Sequence, residues 1–458
     1  MIQKISDFKN PFFIGVAGVG MSAIAQYLQG IGKNVSGSDR YFHPGEYNKT
    51  KEQLENEGIK CCPQDGSGIT GETDLIVVST AIEDTVDEVK KAKELGIPII
   101  KRSQLLAIIA KSKKTVAVAG TSGKSTTSAM LFQILLDAGL EPSIISGAGL
   151  TSIIKQGKIG NAAVGKGDWL IIEADESDGS VVQYEPEIGL LLNIDKDHQE
   201  IEELIELFTI FKNNTNSLFV VNQSNTLAKE LSADIKNDFG FENENAHYNA
   251  LNFNQQGFNL NFEILDQKFE MNAIGQHSVE NATAAVAVAH QIGVDLKTCA
   301  ESLKHYEGIY RRHQILGQKN GIWVIDDYAH NPAKCAASIK ACQPLADKVV
   351  AWFQPHGYGP TRFLRQDFVE EISNTLRPQD EIWMSEIFYA GGTAVKDISA
   401  NDLIEDIKAK GKKAFFVENR NQFLETARPS LSENSVLLLM GARDPSLEEF
   451  CKDLYEKL

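Results

Sequence analysis

The chain has 458 residues, 42% hydrophobic and 23% charged, with a formal net charge of −17; that length exceeds one core and points to about three domains. The acidic balance disfavours nucleic-acid backbones and anionic membrane surfaces as bulk partners, and no apolar run approaches the roughly 18 residues of a membrane span. Six cysteines, at 61, 62, 299, 335, 342 and 451, form no C-x-x-C pair, and the start M-I-Q-K-I-S-D-F-K-N lacks a signal-peptide run, so a cytoplasmic protein with reduced thiols is expected.

Phe12 to Ala17 reads as a first strand. It enters the glycine-rich turn G-V-A-G-V-G-M-S and a helical pattern through Ile24, Leu28 and Ile31. Strand, glycine turn and helix in that order cradle a diphosphate. The spacing is not G-x-G-x-x-G, which disfavours NAD. A second strand is expected at Asn34 to Ser36, followed by G-S-D. Asp39 then either reads a ribose or base or forms the turn before Arg40. Asp74 to Thr80 and Pro98 to Ile100 read as further strands, and the charge run Lys111 to Lys114 as a domain boundary.

Thr115 to Thr127, T-V-A-V-A-G-T-S-G-K-S-T-T, organises the middle of the chain. A buried strand, a glycine-rich turn and an amphipathic helix from Ser125 to Ala138 form a phosphate loop, shortened because Val118 stands where the full pattern has Gly. Lys124 would reach the terminal phosphates of a mononucleotide, and Ser125 would sit on Mg²⁺. Strands at Asp168 to Ala174 and Ile188 to Ile194 deliver Glu173 and the D-K-D-H run to the same sheet edge. His198 there is either a ligand or a surface or capping residue. Asn222 to Lys268 is a polar, strand-rich excursion. A small apolar helix from Val279 to Ile292 comes next, with His277 and Asn281 at its start. Arg311 and Arg312 form a basic pair able to meet a phosphate bidentately. From about Gly317, strands at Gly321 to Asp327, Val349 to Phe353, Glu381 to Ser385, Ala414 to Val417 and Val436 to Met440 alternate with helices, including one from Ala333, as in a small doubly wound sheet.

These motifs in this order resemble the Mur ligases, the ATP-dependent amide-forming enzymes of peptidoglycan precursor synthesis, and among them those that add L-alanine. The stretches carrying the resemblance are G-V-A-G-V-G-M-S, G-S-D, S-T-A-I, G-T-S-G-K-S-T-T, E-A-D-E-S-D, N-I-D-K-D-H, G-Q-H-S-V-E-N-A, Y-R-R-H-Q, D-D-Y-A-H-N-P and F-Q-P-H, spread over the whole chain. The resemblance implies an α/β chain of three domains. These are a Rossmann-like UDP-sugar domain (1–112), a central P-loop ATPase domain (113–315), and a Rossmann-like C-terminal domain (316–458) that closes over the amino acid.

It further implies that Gly18, Val19, Gly20, Met21 and Ser22 hold the diphosphate, Asp39 the uracil side, and Ser79, Thr80, Ala81 and Ile82 the sugar nucleotide. Gly120, Thr121, Ser122, Gly123, Lys124, Ser125 and Thr126 would bind ATP, with His277, Asn281, Arg312, Asp327 and His330 assisting. Ser125, Glu173 and His198 would hold Mg²⁺. Lys124, Glu173, His198, Arg312 and Asp327 would be catalytic, and His356, Tyr358 and Arg362 would line the amino-acid pocket. The implied chemistry is attack of the UDP-N-acetylmuramate carboxylate on the γ-phosphate, giving an acyl phosphate that an amine then opens. The protein would act as a monomer or homodimer.

Departures from the family pattern concentrate near the C-terminus. Ser122 and Ser125 stand where the alanine-adding ligases show His and Thr, and the second change keeps the metal hydroxyl. Gly357 and Pro360 replace arginines, Gly392 a Glu, Arg443 a loop residue of a G-A-G-D segment, and Y-A-H-N-P a Y-G-H-H-P. The ATPase parts are intact and the acceptor pocket is altered. A ligase for a different amino acid or recycled peptide, or a non-catalytic UDP-sugar- or ATP-binding regulator, is the alternative.

Overall fold

The structure, a computed structural model, describes residues 2–195, 200–389 and 395–458. The first sheet comprises β1 (Pro11–Ile14), β2 (Ser36–Asp39), β3 (Lys60–Pro63), β4 (Leu75–Val78) and β5 (Ile99–Lys101), in the order β3-β2-β1-β4-β5 and wholly parallel. β1 is buried along its length, as a central parallel strand covered on both faces requires. The second strand lies further along than the Asn34 to Ser36 expected from sequence. Its S-G-S-D composition hides it: a Cβ on Gly37 would stand 2.7 Å from the Phe13 carbonyl and from Val16, so only glycine lets β2 lie against the turn after β1.

The second sheet comprises β6 (Lys114–Ala119), β7 (Ser143–Ile145), β8 (Ala162–Ala163), β9 (Trp169–Glu173), β10 (Ile188–Leu191) and β11 (Leu218–Val221), in the order β11-β10-β6-β9-β7-β8. β6 pairs in parallel with β10 and β9, and β8 alone runs antiparallel, against β7. The polar excursion folds as β12 (Phe239–Phe241), β13 (Tyr248–Gln256), β14 (Asn259–Ile264) and β15 (Gln267–Asn272), a separate sheet in sequence order. One apolar cluster links Phe13 and Leu28 of the first layer with Ile172 and Phe208 of the second. Two parallel sheets thus share one compact unit, which runs to Asn252 and adds Phe262–Met271 and Val279–Ile309.

The other unit comprises Phe253–Asn261, Asn272–Ser278 and Tyr310–Leu458. Its sheet holds β16 (Gln314–Lys319), β17 (Ile322–Asp327), β18 (Lys348–Gln354), β19 (Glu381–Met384), β20 (Lys413–Phe416) and β21 (Ser435–Gly441), in the order β16-β17-β21-β18-β19-β20. β16 is antiparallel and the rest parallel. Apolar clusters cover both faces: Ile339, Phe353, Phe368 and Leu403 on one, Trp352, Phe423, Leu437 and Leu454 on the other. Among the described residues no helix is long and apolar enough to cross a membrane.

Candidate active site

β6 ends at the phosphate loop, and the helix Lys124–Asp137 begins directly after it. Gly120 (φ 130°) and Gly123 (φ 87°) take backbone conformations that other residues adopt only under strain. A Cβ on Gly123 would lie 2.4 Å from Asn281 Oδ1, so the loop stays free of side chains where a phosphate would enter. Thr121 Oγ1 donates to Asn193 Oδ1 at 2.8 Å, the Ser122 N–H donates to the same oxygen at 2.9 Å, and Asn193 Nδ2 returns a bond to the Ser122 carbonyl at 3.1 Å. Asn193, just beyond β10, therefore pins the loop from beneath.

Ser125 Oγ donates to Glu173 Oε2 at 2.9 Å. The other Glu173 oxygen accepts from Ser146 Oγ at 2.7 Å and from the Gly147 N–H at 2.6 Å. A hydroxyl beside an oriented carboxylate is a hard-oxygen donor set that suits Mg²⁺, which keeps several waters of its own. His198, the remaining predicted metal ligand, lies outside the described residues, and among the described ones no group of three or more His, Cys, Asp or Glu could hold a metal ion. Lys124 Nζ donates to the Gly120 carbonyl at 2.6 Å and pairs with Glu176 at 2.7 Å. Asn281 is buried and accepts from Thr127 Oγ1 at 3.2 Å, which places it on the phosphate-loop helix.

At the first glycine-rich turn, the helix Val19–Gly30 opens after Gly18 without a side-chain cap, leaving its first N–H groups to face outward. Ser22 Oγ accepts from Asn161 Nδ2 at 3.0 Å. Asp39 ends β2, and its carboxylate accepts the Ala17 and Tyr41 N–H groups at 3.0 and 3.1 Å. That geometry makes it a support for the turn. Ser79 to Ile82 follow β4, and Ile82 reaches back over Gly15, 3.7 Å from where a Cβ would sit there.

In the other unit, the basic pair expected at Arg311 and Arg312 is divided. Arg311 is buried, its Nε and Nη2 are bound to Asp326 at 2.9–3.1 Å, and Nη2 also meets the Gly441 carbonyl. It is therefore structural and not available to a phosphate. Arg312 lies over the Tyr328 ring at 4.8 Å. Asp327 accepts the His313 and Ala329 N–H groups, each at 2.7 Å. Burial would raise its carboxyl pKa, but the His313 and Arg312 charges and those donors hold it below the usual range.

Burial, with the His313 ring beside it, lowers the His277 imidazole to about 3. Burial and the nearby Lys334 bring His330 to about 4. His330 Nδ1 donates to the Tyr328 carbonyl at 2.9 Å, which leaves Nε2 as its acceptor nitrogen. The predicted amino-acid pocket residues follow β18. His356 bridges to Phe388, Tyr358 is buried, and Arg362 pairs with Asp397. Gly357 has φ 73° and Arg443 φ 68°; Asn331 caps the helix Pro332–Cys342 through the Lys334 N–H. Gly392 lies outside the described residues.

Sequence reading missed Asn193, Glu176, Ser146 and Gly147. The first two stand inside N-I-D-K-D-H and E-A-D-E-S-D, where the motif signal was present but unparsed; S-G-A-G after β7 carried the other two.

Comparison with known proteins agrees along the chain. Residues 12–114 match the Mur ligase family, catalytic domain, residues 118–289 the Mur ligase middle domain, and residues 311–443 the Mur ligase, glutamate ligase domain. The UDP-N-acetylmuramate--L-alanine ligase of Syntrophomonas wolfei is 33% identical over 94% of both chains, and that of Geotalea daltonii 34% identical with the same coverage. A UDP-N-acetylmuramate-alanine ligase from Thermotoga maritima superposes with a TM-score of 0.79 at 26% identity, covering 98% of each chain. A murein peptide ligase from Psychrobacter arcticus shares the fold, with a TM-score of 0.66 at 19% identity. From the phosphate loop to the last doubly wound sheet, this chain belongs to the Mur ligase family.

Proposed function

We propose that this chain is an ATP-dependent ligase of peptidoglycan precursor synthesis, acting in the cytoplasm, that joins an amino acid, L-alanine by default, to UDP-N-acetylmuramate. The observation that carries the reading is the phosphate loop with Ser125 against an oriented Glu173, in a chain about one-third identical over 94% of its length to relatives named UDP-N-acetylmuramate--L-alanine ligase. In this reading Gly120 to Thr126 cradle the triphosphate, and Lys124 leaves Glu176 to neutralise charge on the transferring group. Mg²⁺, held by Ser125 and Glu173, would supply further positive charge there.

Gly18 to Ser22 take the diphosphate, and Ser79 to Ile82 the rest of the sugar nucleotide. Asn281 supports the phosphate loop; His277, Arg312, Asp327 and His330 serve ATP; His356, Tyr358 and Arg362 serve the acceptor. The muramate carboxylate attacks the γ-phosphate to give an acyl phosphate and ADP. The acceptor amine then attacks the acyl carbon and phosphate leaves. Water must be excluded while the acyl phosphate exists. The same reading divides the chain at 112/113 and 315/316.

A second reading keeps the chemistry and changes the amine. It is favoured by the acceptor side of the sheet, where Gly357 offers no side chain and Arg443 holds a left-handed backbone. Phosphate release with ATP, Mg²⁺ and UDP-N-acetylmuramate against a panel of amino acids and short peptides separates the two. Turnover with L-alanine supports the first reading, and turnover with another amine alone supports the second. Lys124→Ala should cost about three or more orders of magnitude in turnover; near-wild-type activity would overturn the ATP assignment.

A further inference from the structure

Arg102 follows β5 and opens the helix Arg102–Ala110. Its side chain lies across the first glycine-rich turn: a Cβ on Gly20 would meet Arg102 Cδ at 3.1 Å, Nη1 at 3.3 Å and Nε at 3.4 Å. The guanidinium therefore lies in close contact with Gly20, on the first turn of the helix Val19–Gly30. That end of a helix already carries partial positive charge, so a cation beside it is unfavourable until an anion lies between them. Arg102 Nη2 meets Asp178 Oδ2 at 3.0 Å, and both side chains are about one-quarter exposed. Asp178 is itself fixed, because its Oδ1 accepts the Ser180 N–H at 2.9 Å. The same acidic loop, from Glu173 to Ser180, carries Glu176, which holds Lys124.

We propose that Arg102 is a positioning residue for the diphosphate of the sugar nucleotide, and that Asp178 holds its guanidinium until that diphosphate displaces the carboxylate. This rests on the sugar-nucleotide reading of the Gly18 to Ser22 turn and deepens it. A guanidinium meets phosphate oxygens bidentately, and a diphosphate brings more negative charge than one carboxylate. Arg102 needs no new backbone path, since its guanidinium already stands at the turn. One loop then parks both cations, Arg102 on Asp178 and Lys124 on Glu176, beside the two phosphate sites.

The test is equilibrium binding of UDP and of UDP-N-acetylmuramate to the full chain, with the wild type, Arg102→Ala, Arg102→Lys and Asp178→Asn. Arg102→Ala should weaken binding about tenfold or more and Arg102→Lys by less, the loss expected for one charge-assisted contact. Asp178→Asn should tighten it about threefold, because the competing carboxylate is gone. An ion pair serving only to hold the fold would weaken binding in both directions of removal. Weakening by Asp178→Asn equal to that of the arginine variants, or unchanged affinity in Arg102→Ala, overturns the inference while wild-type binding stands. If Arg102→Ala does not fold, the opposite signs of Arg102→Lys and Asp178→Asn decide. A wild-type chain that binds neither UDP nor UDP-N-acetylmuramate overturns the sugar-nucleotide reading and this inference with it.

Discussion

Asn193 shows how one side chain sets the shape of a loop. Its amide bonds both Thr121 and Ser122, accepting from one hydroxyl and one N–H and donating to a carbonyl. Removing it leaves polar groups of a glycine-rich loop without their partner, at a cost of about 1–3 kcal/mol where they are buried. Asn193→Ala should therefore raise the KM for ATP about tenfold while leaving the KM for the sugar nucleotide near wild type, which steady-state kinetics with each substrate varied in turn will show. Equal loss for both substrates would make Asn193 a general stability residue. Glu173 is held in the same manner by Ser146 and Gly147. The sequence exposed Lys124, Ser125 and Glu173 because their types carry chemistry. Asn193 and Gly147 were illegible because their importance lies in where another strand brings them.

Within elements, the strand, turn and helix around the phosphate loop were readable because a buried parallel strand is a continuous apolar run, and glycines mark the turn. The helix Gln276–Ile292 adds what the loop's own sequence lacks, since Asn281 fills the space where a Gly123 side chain would go. Gly123→Ala combines a strained φ with a 2.4 Å clash against Asn281 and should lower ATP affinity by at least about tenfold. Calorimetric titration with ATP measures this, and Gly139→Ala, with φ 74° and no neighbour within 4 Å, serves as a control carrying the backbone strain alone. Two features escaped the sequence. β2 was displaced because S-G-S-D has no strand-like composition, and Arg311 was misread because nothing in Y-R-R-H tells which arginine turns inward to Asp326.

For the whole molecule, two half-buried imidazoles set an acid limit. His277 is lowered to about 3 and His330 to about 4, both chiefly by burial. Both folded values lie below the ordinary 6.5, so the unfolded chain binds more protons between about pH 6 and pH 4, and stability falls as pH falls through that window. Each imidazole contributes a slope of at most about 1.4 kcal/mol per pH unit. Urea unfolding followed across that range should show His277→Gln flattening the dependence relative to wild type; an unchanged slope would mean that His277 titrates normally in the folded chain.

The sequence by itself determined the parallel α/β architecture, the two glycine-rich turns and the candidate residues Lys124, Ser125 and Glu173, because apolar runs, glycines and charged types are local and periodic signals. Only the tertiary structure decided which neighbours those residues have: Asn193 under the loop, Glu176 on Lys124, Asp326 on Arg311, and Arg102 lying on Gly20. These partners are 71, 52, 15 and 82 residues apart in sequence. Such pairings arise from strand order and burial, which no local pattern encodes.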